Sequence, residues 1–588
     1  MKIKIANIRN YTKISIAMLF LMFMTLPSLL LGQSGKLSHD LEHVSAKSVD
    51  VIVQYRVAPS DTHYGRVLAR GGSMKVDLRG MKAGAFRVPA TSLTELANDP
   101  DVSYVSLDRP VLSSHYSNNP DFYEDAVLAQ SAWNQYDGSG IGIALIDSGV
   151  TYNADFGQRI VYNQSFVNNE GWTTNDLYGH GTHVAGILAG SGVNSTGFVF
   201  TKTFMGVANN ANLINLRVLD ENGSGTDSGV IAAIQRAIQL KNAFNIRVIN
   251  LSLGRGVFES YSQDPLCQAV ESAWKAGIVV VVAAGNDGRN DAANTNGYGT
   301  INAPGNDPYA ITVGAMKPMG TPDRSDDLIA SYSSKGPTLF DHIVKPDIVA
   351  PGNQTISVLA STNAALYTTS NAIPYSYYAR LNLGLNLPSN SYFTLSGTSM
   401  ATPVVAGAAA LMLQQHPSMT PDQVKARLML TAYKTFPQYS SVTDPTTGIT
   451  YTSQYDIFTI GAGYLNIQNA MENNTPSSPA FGSAMSPTVA VDSYGNIYMV
   501  KGSCAEIWGS SPAWGNTQVW GTAVFSANRG GTDSVLWGSS TVSSSSVLWG
   551  SSVLWGSSVL WGSSANADNP SAGTLTPEAA LIQLLGDL

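Results

Sequence analysis

From about Gly140 to Gln415, short apolar runs alternate with longer stretches of helical period. Ile141–Ile146, Leu213–Leu219, Val248–Leu253 and Ile278–Ala283 are rich in Val, Ile and Leu, as suits strands buried on both faces of a parallel sheet. Gly229–Lys241 and Gln268–Lys275 read as helices between them. The alternation predicts one large α/β domain, a mostly parallel sheet with helices on both faces.

The pattern differs on either side of this block. Val49–Tyr55, Met74–Leu78, Ala85–Val88 and Asp101–Leu107 read as strands, and Thr91–Ala97 as a helix. Together they predict a small α+β module over 49–111. Leu112–Glu124 is polar and aperiodic, so it reads as a linker. From Asn473 onward, Trp508, Trp514, Trp520, Trp537, Trp549, Trp555 and Trp561 stand in a Gly/Ser-rich stretch. Ser-Val-Leu-Trp-Gly-Ser repeats every six residues around the last three, and Thr576-Pro577-Glu578 reads as a helix start leading into Ala579–Leu585. An even period places every Trp of an extended chain on one face. Two readings stand: a sticky surface for cell envelope, glycan or another copy, or a low-complexity tail that is trimmed or lies against the rest of the chain.

Composition narrows the function classes. A chain of 588 residues exceeds one compact domain, and 44% hydrophobic with 13% charged residues argues against a disordered protein. The net charge of -8 and the lack of a Lys/Arg stripe exclude an electrostatic case for nucleic acid. Lys2, Lys4, Arg9 and Lys13 precede an apolar run, Ile14–Leu31, with Gly32-Gln33-Ser34-Gly35 after it. That is the layout of a secretory signal over 1–32, with a membrane anchor as the alternative. The expected location is secreted or cell-surface. Cys267 and Cys504 stand in no catalytic setting, and nothing in their spacing argues for pairing.

Four segments carry candidate chemistry. Ser399 lies in Ser396-Gly397-Thr398-Ser399-Met400-Ala401-Thr402-Pro403, ahead of the apolar run Val404–Leu413. Small neighbours admit a substrate backbone, and the following helix would aim its positive end at an oxyanion. Pro403 would remove the helical bond to the Ser399 carbonyl; the plain alternative is a helix cap. His180 lies in Gly179-His180-Gly181-Thr182-His183, whose flanking glycines are expected to leave the imidazole accessible. A metal-binding His-x-x-His pair lacks a third ligand, and His183 reads as a core residue. Asp147 ends the strand Ile141–Ile146, where α/β proteins place their chemistry, although Asp-Ser-Gly is also a turn signature. Asn286, in Ala284-Gly285-Asn286-Asp287-Gly288, also follows a strand and offers an amide donor to developing negative charge.

In combination and chain order, these segments resemble the subtilisin-like serine peptidases over roughly Gly140 to Thr431. The resemblance implies that Ser399 is the nucleophile, His180 the general base, Asp147 its orienting carboxylate and Asn286 an oxyanion donor. It implies that Ser252-Leu253-Gly254 is a substrate-pairing edge, and that Asp287 lies near substrate. It makes 49–111 an inhibitory propeptide, cut by the enzyme itself between about Val111 and Asn119. The expected domains are thus 1–32 signal, 49–111 propeptide, 120–472 peptidase and 473–588 tail. Protein or peptide substrates and the chain's own propeptide are the expected partners, with cell-surface contact through the Trp repeats left open. No cofactor is needed for the chemistry; a structural calcium ion at Asp155 stays open. Asn353–Tyr392 is longer than in simpler members and is expected as an insertion on the active-site side or a remote loop. A vestigial core with a binding function, or an esterase, are the competing classes. The intact four residues argue against the first. The absence of a Gly-x-Ser-x-Gly elbow and the propeptide-like module argue against the second.

Overall fold

A computed structural model describes residues 36–499 and 587, apart from 42–43, 45, 113–122, 168–172, 291–294, 381–386, 445–446, 474–483 and 492–496. The signal segment, the expected cut site, Cys504, the Trp repeats and the helix expected after Thr576 lie outside the described residues.

The N-terminal unit is the small α+β module that the pattern predicts. Strands β1 (Ser48–Tyr55), β2 (Ser73–Leu78), β3 (Ala83–Pro89) and β4 (Val102–Leu107) form one antiparallel sheet in the order β2-β3-β1-β4. Val51, Val53, Phe86 and Val105 face its own core with Tyr64 and Val67 of α1 (Asp61–Ala69). α1 is not among the predicted elements; only Tyr64 and Val67 of its nine residues are buried, so its apolar stripe is narrow, and Gly65 interrupts it. A second helix, α2, spans Leu93–Ala97. The opposite face of the sheet is also apolar: Ile52, Leu78, Ala83 and Ala85 join the core of the larger domain. A fifth strand, β5 (Pro110–Leu112), carries the chain from the end of this module into the first residue of the expected linker.

In the larger domain the parallel strands are β6 (Gly142–Asp147), β7 (Ile160–Ser165), β8 (Asn212–Arg217), β10 (Ile246–Leu251), β11 (Val279–Ala283), β12 (Ile311–Lys317) and β14 (Ile348–Pro351). Their order is β12-β11-β10-β6-β8-β7, with β14 beside β12 and an antiparallel β13 (Leu328–Ile329) at that end. β6, β10 and β11 are apolar on both faces because helices cover both. On one side lie α4 (Asp227–Phe244) and α5 (Pro265–Lys275), which also carry the N-terminal unit. On the other lie α3 (His180–Ala189) and α6 (Thr398–Gln415), the latter packed against β10, β11 and β12. Thr398 to Leu413 are buried all round, which makes α6 an interior helix rather than an amphipathic one. The domain continues past 472: Ser486 and Val489 donate backbone hydrogen bonds to Pro308 and His342.

Candidate active site

Asp147 is the last residue of β6, at the carboxyl edge of the sheet. Its Oδ1 accepts the Ser148 N–H at 2.7 Å and the His180 Nδ1–H. His180 is the first residue of α3, and a carboxylate that sequence reasoning missed holds this helix in place. Asp176 Oδ1 accepts from the Gly179 N–H (2.6 Å) and Ser148 Oγ–H (2.8 Å), and Oδ2 from the Thr182 N–H (2.8 Å). Ser148 Oγ in turn accepts the Gly181 N–H at 2.9 Å. Asp176 therefore caps α3 from four residues before its first residue and ties it to the end of β6. Burial pushes its carboxyl up, and these donors oppose the shift.

Contrary to the expectation from sequence, the glycines of the His180 block do not leave the imidazole accessible; His180 is buried. They serve the backbone. Gly179 has φ of +103°, and a Cβ on Gly181 would stand 2.2 Å from the Gly149 carbonyl oxygen. His183 is a core residue, with Nε2 at 3.0 Å from the Thr355 carbonyl and its ring edge-on to Phe393. Burial lowers its pKa to about 3.

Ser399 is the second residue of α6. Pro403 frees the Ser399 carbonyl from the helix ladder, and the Ser252 hydroxyl donates to it at 2.8 Å. The Ser399 hydroxyl donates to the Ser252 carbonyl at 2.9 Å, so the two serines clasp each other. Ser252 thus lies beside the serine block, with Leu253 buried behind it and Gly254 half-buried. Asn286 follows β11, and its Oδ1 accepts both the Thr398 N–H and hydroxyl at 2.9 Å. Two donors on the oxygen fix the amide orientation, so the Nδ2 hydrogens point away from Thr398. Nδ2 is buried with no partner among the described residues, a donor held ready for an acceptor. Asp287 is exposed.

A second edge was not legible in the sequence. β5 pairs antiparallel with β9 (Ser224–Thr226), with Pro110, Val111 and Leu112 opposite Thr226, Gly225 and Ser224. The Arg109 carbonyl accepts the Asp227 N–H at 2.8 Å. An extended peptide therefore already lies on this edge, supplied by the chain itself.

The long segment lies on this side of the molecule. β15 (Thr355–Val358), β16 (Ala372–Pro374) and β17 (Pro388–Leu395) form a separate three-stranded sheet. Ala365 and Leu366 donate to the carbonyls of Leu177 and Tyr178, just ahead of His180. Its strand β17 also reaches Asp155. There the carboxylate accepts the Tyr392 hydroxyl at 2.6 Å and the Asn194 N–H at 2.9 Å, while burial pushes the carboxyl up. Both carboxylate oxygens are taken by hydrogen-bond donors, a phenol O–H and a backbone N–H, so these residues do not fit a calcium ion at Asp155.

A fold with helices on both faces of a parallel sheet, and Asp, His, Ser and Asn at its carboxyl edge, is the layout of the subtilisin-type serine peptidases. The subtilase family model, Peptidase_S8, matches residues 138–463, and the chain belongs to that family. Serine protease AprX of Bacillus subtilis (strain 168) is 41% identical over 297 residues, covering 50% of this chain and 61% of AprX. Subtilisin E of the same organism is 34% identical over 365 residues, covering 62% of this chain and 78% of subtilisin E. Among solved structures, fervidolysin from Fervidobacterium pennivorans, a keratinolytic enzyme related to subtilisin, shares the fold. Its TM-score is 0.55 at 21% identity, over 79% of this chain and 66% of fervidolysin.

Proposed function

We propose that the chain is a secreted serine endopeptidase that matures by cutting away its own N-terminal unit. The carrying observation is the constellation at the sheet edge: Asp147 bonded to His180, Ser399 at the start of a buried helix, and the unpartnered Asn286 amide beside it. In this reading the Ser399 proton, held in this state by the Ser252 carbonyl, passes to His180 as Oγ attacks the substrate carbonyl. Asp147 fixes the imidazole tautomer and stabilises the imidazolium. Asn286 Nδ2 and the Ser399 N–H receive the oxyanion, and His180 returns the proton to the leaving amine. Water then hydrolyses the acyl-enzyme by the same relay.

Self-maturation draws support from β5 on β9, since that pairing lays Pro110–Leu112, the end of the N-terminal unit, as an extended strand on the larger domain. The unit over 36–112 is the inhibitory propeptide in this reading, 1–32 the signal and 123–491 the peptidase; the Trp repeats remain assigned to a tail. Substrates are proteins or peptides that adopt an extended strand on Ser224–Thr226 and Ser252–Gly254. The insertion beside Leu177 and Tyr178 narrows access to them.

The test is the intact mass of wild type and Ser399→Ala, with casein hydrolysis in parallel. Wild type loses its N-terminal unit and digests casein, while Ser399→Ala does neither. Identical processing of both chains without casein hydrolysis would sink the proposal.

A further inference from the structure

Arg109 immediately precedes β5, and its side chain is only 2% exposed. Its Nη1 and Nη2 donate to Glu259 Oε1 and Oε2, each at 2.5 Å, while Nε and Nη2 donate to Asp40 at 2.8 and 3.1 Å. The guanidinium also lies over the Phe258 ring, 4.8 Å from its centroid. Asp40 belongs to the N-terminal unit, but Phe258 and Glu259 belong to the peptidase domain, in the loop after β10.

The neighbouring cation cannot replace Arg109. Arg255 is committed to Asp227 and Asp264, with bonds of 2.8 to 3.1 Å. When residues 36–112 leave, the peptidase keeps three carboxylates, Asp227, Asp264 and Glu259, around one guanidinium. Glu259 then has lost the partner that neutralised it, and Phe258, 42% exposed even here, loses the cation on its face. The seat is also fixed by the main chain, because the Arg109 carbonyl is bonded to Asp227 and the next residues are in register with β9. A substrate strand following the same path brings the side chain two residues before the one opposite Gly225 into that seat.

We infer that Phe258 and Glu259 form a guanidinium-binding subsite of the mature enzyme, selecting protein substrates with arginine two residues before the one paired with Gly225. This rests on the peptidase reading above. A planar fork matches the Glu259 carboxylate through two parallel bonds and stacks on Phe258; the compact ammonium of lysine does neither as well.

The experiment uses fluorogenic peptides of residues 106–119, with Arg109 or with Arg109→Ala or Arg109→Lys, and the self-matured full chain. The arginine peptide is expected to exceed the alanine peptide by about 10-fold or more in kcat/KM, as for a charge-assisted bond formed with substrate, and lysine to fall between. In Glu259→Gln the ratio drops to near one. A companion chain with Arg109→Gln and Glu259→Gln pairs two amides in the precursor and keeps the test open where the single variant fails to mature. Equal hydrolysis of the arginine and alanine peptides by wild type overturns the subsite and leaves the peptidase reading standing. Hydrolysis of neither peptide, with casein also left intact, overturns both.

Discussion

Two histidines three positions apart on α3 have opposite fates. His180 sits at the helix start against Asp147, whereas His183 points to the Thr355 carbonyl and Phe393. Because burial lowers the His183 pKa to about 3, below the 6.5 of an exposed histidine, the folded protein keeps it neutral. The unfolded chain binds that proton first as pH falls. The stability is therefore fully present above about pH 6.5 and drains away toward pH 3, at about 1.4 kcal/mol per pH unit between the two values. His183→Gln keeps an amide for the Thr355 carbonyl but cannot titrate. In the Ser399→Ala chain, which removes self-digestion, urea melts between pH 7 and 4 should show a shallower acid limb with His183→Gln. An unchanged limb would assign the acid sensitivity elsewhere.

At the level of elements, the candidate catalytic side chains are held by the ends of strands and helices, and each end is tied to another. The cap from Asp176 joins α3 to β6, and the Ser252–Ser399 clasp joins α6 to β10. Strand β17 makes a further tie through Tyr392, whose hydroxyl bonds to Asp155 and accepts from the Ser195 hydroxyl at 3.1 Å. Removing that hydroxyl leaves a buried carboxylate short of a donor. Tyr392→Phe is thus expected to destabilise the Ser399→Ala chain by about 1–3 kcal/mol. Hydrogen-bond donors hold the Asp155 carboxylate, so adding calcium should not restore the melting temperature of Tyr392→Phe. Restoration by calcium would show a cation site where a hydroxyl now stands.

Across the whole molecule, the N-terminal unit is apolar on both faces of its sheet. One face has its own core, and the other gives Ile52, Leu78, Ala83 and Ala85 to the peptidase domain over α4 and α5. At the edge of this contact Asp108 caps α4, accepting from the Ser228 N–H at 2.8 Å and its hydroxyl at 2.6 Å. A surface so matched can template the helices it covers. A chain lacking residues 1–112 is expected to yield little soluble, active peptidase compared with the full chain, judged by casein zymography at equal expression. Equal yield and activity would mean that the unit has no part in folding.

The sequence alone determined the α/β architecture, because strands buried on both faces must be unbroken apolar runs and their helices fall between them. It also determined Asp147, His180, Asn286 and Ser399 as candidates, because each sits in a local motif of small and turn-forming residues at the end of an element. What it left open are relations between distant positions. Asp176 is one polar residue among Thr173, Thr174 and Asn175, and nothing local marks it as the cap of α3. β9 is a three-residue strand in a Gly/Ser stretch without apolar alternation, visible only once β5 lies on it. Tyr392 and Asp155 are 237 positions apart, and Arg109 and Glu259 are 150 apart. Periodicity reports which face of an element is buried, but not which charged or hydroxyl group will meet it there. Those pairings were decided by tertiary packing, which removes water from both partners and so makes each partner necessary to the other.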